Sequence, residues 1–194
     1  MSIPGEISVS IVDLSSLGVP GRQQAAEILV AAFRSGWPDA WPGMAEGLEE
    51  VDEALGAERI SRAAVDDHGR VLGWIGGIPS YRGRAWELHP LAVHPEFQGR
   101  GVGSALVHDF EELVRARGAL TIHLGSDDVN KMTSLWGTDL YPNVLGKLAA
   151  IRNLHRHPYS FYEKIGYVIV GAIPDANGFG KPDILMAKRI NKYP

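Results

Sequence analysis

The chain has no cysteine among its 194 residues. Disulfides, thiolate metal sites and a cysteine nucleophile are therefore excluded. No apolar run approaches the ~20 residues that span a bilayer, so no membrane association is expected. Met1 to Val9 carries Glu6 and no basic segment, so no signal-peptide pattern is expected, and a cytoplasmic protein is. Charge is nearly balanced: 19 Lys and Arg against 23 Asp and Glu give a net charge of -4. Nucleic-acid binding needs a basic face and is disfavoured, whereas a cationic small molecule is compatible. The seven histidines include His155 with His157 and His89 with His94, but neither pair has the acidic or cysteine partners of a metal set. No metal is expected. There is no internal repeat or low-complexity linker, and the length suits one domain over residues 1–194.

What the chain does have is a glycine turn, Gln98-Gly99-Arg100-Gly101-Val102-Gly103, after an apolar strand and before an amphipathic helix. Glycine permits left-handed backbone and close approach, and a helix start adds its positive dipole end. Together they make a cradle for a phosphate or pyrophosphate. A P-loop would need Lys and Ser/Thr after the last glycine, but Gly103 is followed by Ser104 and Ala105. A dinucleotide fingerprint needs glycine at its first, third and sixth positions, and neither Gly99 nor Gly101 starts such a series.

Apolar spacing predicts strands over Ile7 to Val12, Arg59 to Val65, Val71 to Ile78, Ala85 to Val93, Leu120 to Leu124, Tyr167 to Ala172 and Ile184 to Arg189. Helices are expected over Gln23 to Phe33, Met44 to Leu55, the segment after the glycine turn, Val144 to Leu154, and Tyr159 to Ile165. Asp67-His68-Gly69-Arg70 reads as a hairpin turn. This is a mixed α/β layout rather than a regular βαβ array. The long stretch Gly125 to Arg156 is irregular, and such length often carries function or an interface.

The glycine turn, read as Gln/Arg-x-x-Gly-x-Gly/Ala, resembles the pyrophosphate loop of the GCN5-related N-acetyltransferases. Further segments are similar to one branch, the chromosomal, dimer-forming aminoglycoside 6'-N-acetyltransferases: Trp86 to Leu91, Leu120 to Asp128, Thr138 to Pro142, His157 to Tyr167 and Asn177 to Ile184. The leader Met1 to Ile7 looks longer than in such relatives. The resemblance implies an acyl-CoA N-acyltransferase fold, an α/β (α+β) mixed, mostly antiparallel central sheet flanked by helices, with splayed central strands. It implies acetyl-CoA as cosubstrate, a small polycationic amine as acceptor, direct attack in a ternary complex, and a homodimer. Another small amine, a polyamine or a peptide amine would be served by similar acidic groups. A non-catalytic coenzyme A-binding module is the third reading.

Glu87 and His89 are two apart on a strand and share a face. Pro90 cannot donate to the ladder, so a bulge or splay is expected there. By resemblance, the Leu91 N–H would bond the acetyl carbonyl, an oxyanion-type contact. Leu91, Ala92 and Val93 would flank the pantetheine arm. Gln98, Gly99, Arg100, Gly101, Val102, Gly103 and Ser104 would hold the pyrophosphate. Glu87 would hold or deprotonate the amine, while His89 either takes part or orients its neighbours. Tyr162 would reach the coenzyme sulfur as general acid, with Phe161 as the core residue beside it. Asp127 and Asp128 end a strand, where open sheets bind ligands. They could face a polycation or simply form a turn. Trp37 and Tyr81 could stack on sugar rings.

Overall fold

The computed structural model describes residues 8–192, so the leader and the start of the expected first strand lie outside the described residues. The chain forms two compact units, Met1–Ala119 and Leu120–Pro194.

The first unit opens with β1 (Ser10–Asp13), and the Asp13 carboxylate accepts the Ser15 N–H at 2.9 Å to start a 3-10 turn. Helix α1 (Gly18–Phe33) begins before the expected Gln23. Pro20 sits in its first turn, where a missing N–H leaves no intrahelical bond unmade. Helix α2 (Met44–Ala54) follows. Strands β2 (Ile60–Val65) and β3 (Val71–Ser80) form the expected hairpin. The Asp66 carboxylate closes the turn by accepting the N–H groups of His68 and Arg70, each at 2.9 Å. Strand β4 (Ala85–Val93) and helix α3 (Val102–Ala116) complete the unit. The four strands are antiparallel, in the order β1-β2-β3-β4.

One core joins α1 and α2 to the strands through Ala25, Ala26, Leu29, Val51, Ala63 and Trp74. The buried Trp74 indole donates to the Ala25 carbonyl at 3.0 Å, so its polar atom is satisfied as burial requires. On the other side α3 buries Val102, Leu106, Phe110 and Val114. Arg62 of β2 holds Asp109 of α3 through Nε and Nη2, at 2.7 and 3.2 Å.

The second unit contains β5 (Thr121–Asp127), α4 (Val144–Ala149), α5 (Tyr159–Lys164), β6 (Val168–Ile173) and β7 (Asp183–Arg189). Its strands are antiparallel in the order β5-β7-β6. Ile122, Leu124, Ile184 and Met186 are fully buried. Helix α4 is shorter than the expected Val144 to Leu154. The backbone beyond it bonds elsewhere: the Leu154 N–H donates to the Met132 carbonyl at 2.8 Å and the Ser134 N–H to the Arg152 carbonyl at 3.0 Å. Those long-range partners replace the i→i−4 ladder. Among the described residues, no helix is long and apolar enough to cross a membrane.

Candidate functional site

The bulge expected at Pro90 is present in the otherwise continuous β4. Ile75 faces Leu91 and Gly77 faces Leu88, so the single residue Gly76 lies opposite both His89 and Pro90. This is a β-bulge, the device that re-aims side chains next to sites. A Cβ at Gly76 would lie 2.3 Å from the His89 carbonyl oxygen. Only glycine lets β3 run that close beneath the bulge.

Strand β4 sends alternate side chains to different neighbours. Trp86 meets Phe110 of α3 edge-on, with centroids 6.4 Å apart. His89 instead meets α2, and its Nε2 lies 3.6 Å from a Glu50 carboxylate oxygen. Trp41 lies beside the imidazole at 6.1 Å and packs edge-on against Phe33 at 4.7 Å. The Glu50 carboxylate raises the affinity of His89 for its proton above that of an ordinary histidine, against the opposing effect of burial, and Glu87 adds to this. The same pairing lowers the Glu50 carboxyl pKa. Glu87 is half-buried on the same strand.

Beyond Val93, a short turn over Pro95–Phe97 leads into the glycine segment. The Gln98 side chain folds back and donates to the Val93 carbonyl at 3.1 Å, tying the loop to the end of β4. Gly99 and Gly101 have φ of 72° and 87°. A Cβ at either would meet nothing within 4 Å, so backbone conformation rather than crowding calls for glycine here. Gly101 caps α3 without any side-chain acceptor, which leaves first-turn N–H groups for an anion. Val102 is buried as the first core residue of α3, while Ser104 is exposed in its first turn. Arg100 lies over the Phe97 ring at 5.6 Å. Leu91 and Val93 are half-buried and Ala92 is buried in the core.

Tyr81 is 80% exposed, at the tip between β3 and β4. It lines a cavity of about 510 Å³ with Glu58, Arg82, Trp86 and Arg117, and Glu87 and His89 do not line it. Two guanidiniums against one carboxylate give that cavity the wrong sign for a polycation. Trp37 is half-buried just past α1, its N–H donating to the Phe33 carbonyl at 2.7 Å.

In the second unit the two aspartates part company. Asp128 is 0% exposed. Its carboxylate accepts the Met132 N–H at 2.8 Å, the Thr133 N–H at 2.8 Å and the Thr133 hydroxyl at 2.7 Å. The expectation that it meets the acceptor is therefore corrected: Asp128 builds the loop, as the turn-forming alternative had it. Asp127 is half-buried, with its carboxylate on the Asn177 amide and its carbonyl 3.1 Å from His157 Nε2. The expected roles of Phe161 and Tyr162 in packing are also exchanged. Tyr162 is the buried ring, 8% exposed, set edge-on to Phe161 and Tyr167. Tyr159 and Tyr162 are one turn apart on α5 and share its buried face. Burial pushes the Tyr162 phenol well above its ordinary pKa, so it stays protonated.

Sequence reasoning missed Glu50, Trp41 and His157. Glu50 is hidden within the run Glu46, Glu49, Glu50 and Glu53, and nothing local marks which of these turns inward. His157 is 1% exposed and is held by Asn153, Asp127 and the Tyr159 N–H.

Comparison with known proteins fits this arrangement. Residues 22–135 match the model of the acetyltransferase (GNAT) family. An aminoglycoside 6'-N-acetyltransferase solved with coenzyme A is 43% identical, covers 95% of this chain and 99% of its own, and superposes with a TM-score of 0.87. The aminoglycoside 6'-N-acetyltransferase from Enterococcus faecium is 42% identical over 95% of this chain and 99% of its own, with a TM-score of 0.84. An acetyltransferase of Pectobacterium atrosepticum is 41% identical over 58 residues, 29% of this chain and 39% of that relative, so the match spans about two fifths of the curated relative's length. By its family match and by the extent of these similarities, the chain belongs to the acetyltransferase (GNAT) family.

Proposed function

We propose that this protein transfers the acetyl group of acetyl-CoA to the 6'-amino group of aminoglycosides, by direct attack in a ternary complex. Resistance to those antibiotics is the consequence. The observation that carries the reading is the similarity to aminoglycoside 6'-N-acetyltransferases over 95% of the chain at 43% identity. The local chemistry supports it. The uncapped start of α3 and the left-handed glycines suit the pyrophosphate. The bulge in β4 suits a pantetheine arm along Leu91, Ala92 and Val93, with the Leu91 N–H on the acetyl oxygen. Glu87 holds the acceptor ammonium, and Asp127 and Trp37 contribute to acceptor binding. Tyr162, kept protonated by burial, donates to the leaving thiolate.

The reading includes cytoplasmic residence, where acetyl-CoA is made and used, and a homodimer. The exposed apolar residues Val168, Val170 and Ile173 on β6, a strand paired only with β7 among the described residues, support self-association. Light scattering at working concentration distinguishes dimer from monomer. The activity is tested by following free thiol from acetyl-CoA with kanamycin or tobramycin as acceptor. Acceptor-dependent thiol release is expected, and its absence across a panel of 6'-amino aminoglycosides overturns the assignment.

A further inference from the structure

Helix α2 carries four glutamates along its length, and three of them, Glu46, Glu49 and Glu53, are exposed. Glu50 is different. Its side chain is 17% exposed, and its carboxylate lies 3.6 Å from Nε2 of His89. Trp41 interacts with the same carboxylate and also lies against the imidazole. The indole is fixed in turn by Phe33 at the end of α1. An imidazole backed by a carboxylate on one nitrogen and walled by a ring has a set orientation. With Nε2 turned to Glu50, Nδ1 is the nitrogen left to exchange a proton, and 41% of the His89 side chain is open to solvent.

We propose that Glu50 is a positioning residue for acetyl transfer, orienting His89 so that Nδ1 takes the proton of the acceptor ammonium and holding the imidazolium that results. This rests on the acetyltransferase reading above. A carboxylate that orients a histidine base and stabilises its charged form is a recurrent catalytic device. The step balances. The ammonium gives one proton to Nδ1, and its freed lone pair attacks the thioester carbon. The N–C bond forms and the C–S bond breaks. The remaining extra proton on nitrogen leaves with the thiolate as thiol, and His89 returns its proton to solvent. Glu50 is unchanged throughout. The charged groups facing His89 are Glu50 from α2, Glu87 from its own strand and Arg59 ahead of β2. The two carboxylates favour the imidazolium and Arg59 opposes it, which places the proton exchange above the range of a free histidine.

The test is an NMR titration of His89 in the purified protein, with the pH profile of kcat/KM measured alongside. Wild type, Glu50→Gln, Glu50→Asp, His89→Gln and the double variant Glu50→Gln with His89→Gln are compared, with exposed Glu49→Gln as control. Glu50→Gln is expected to lower the His89 pKa and move the acid limb of kcat/KM to lower pH by the same amount. Its plateau kcat/KM is expected to fall by ~100-fold, the lower end of an acid–base contribution. Glu50→Asp recovers part of both, and Glu49→Gln changes neither. In the His89→Gln background, Glu50→Gln adds little further loss, as coupling through one residue requires. An unmoved His89 pKa in Glu50→Gln, or a full further loss in the His89→Gln background, overturns the proposal. A wild-type protein inactive on every aminoglycoside overturns the acceptor assignment instead. The titration still decides whether Glu50 governs His89.

Discussion

Gly76 lies directly beneath His89, so close that a Cβ on Gly76 would fall 2.3 Å from the His89 carbonyl oxygen. The contact is backbone to backbone, and no side-chain rotation relieves it. Gly76→Ala should therefore push the bulge away from β3 and cost about 1–3 kcal/mol or more of stability, with a drop in kcat/KM. Gly171→Ala is the matched control in β6, where the nearest atom to the added Cβ is at 3.7 Å, an ordinary contact. Denaturant melts of the two variants provide the check, and equal stability for both would contradict this account of the bulge.

His157 should make the protein sensitive to mild acid. Burial lowers its pKa below 6.5, so the native state prefers the neutral ring while the unfolded chain takes up a proton near 6.5. The stabilisation is complete above that value and is lost as pH falls toward the folded pKa. Nδ1 accepts the Tyr159 N–H, which assigns the proton to Nε2 facing the Asp127 carbonyl. His157→Gln cannot ionise, so its Tm should change less than that of wild type as pH falls from about 6.5. Parallel melting curves for the two proteins across that range would remove His157 as the titrating group.

Asp128 is the anchor of the segment after β5. Its carboxylate accepts three hydrogen bonds, and Asp128→Ala leaves two N–H groups and a hydroxyl in the interior without that partner. A loss of about 3 kcal/mol or more is expected, at one to three for each of the three polar groups stranded. Hydrogen exchange should accelerate at Met132 and Thr133 before it does in β5. Unchanged protection there would show that the loop is held by other contacts.

These cases also mark what could be read from the chain alone. Strand β4 was legible to its ends because apolar alternation, Pro90 and the glycine turn all act within a few residues. Helix α4 was overextended because the bonds that end it come from Met132 and Ser134, far away in sequence. Asp128 and Asp127 are adjacent and chemically identical, so only the path of the loop decides which is buried. Phe161 looked like the core residue on hydrophobicity, yet helical phase places Tyr162 with Tyr159 on the inner face of α5. Glu50 could not be chosen from four similar glutamates until α2 was set against β4.

Tyr162 should separate chemistry from packing. Its buried phenol stays protonated through the working pH range, so in the proposed role of donor to the thiolate it adds no limb to the pH profile. Tyr162→Phe keeps the ring contacts with Phe161 and Tyr167 and removes only the hydroxyl. A fall in kcat of roughly 100-fold is expected, the lower end of an acid–base contribution, with a stability change within about 1.5 kcal/mol. Steady-state kinetics with a thermal melt provide the check, and an unchanged kcat would remove Tyr162 from the reaction.

The central claim is most directly tested by the position of the acetyl group in the product. Tobramycin incubated with acetyl-CoA and the purified protein is analysed by NMR after one round of acetylation. The account predicts a single product acetylated at the 6'-nitrogen. Acetylation at another amine, or acetyl-CoA consumed without any modified tobramycin, would contradict it.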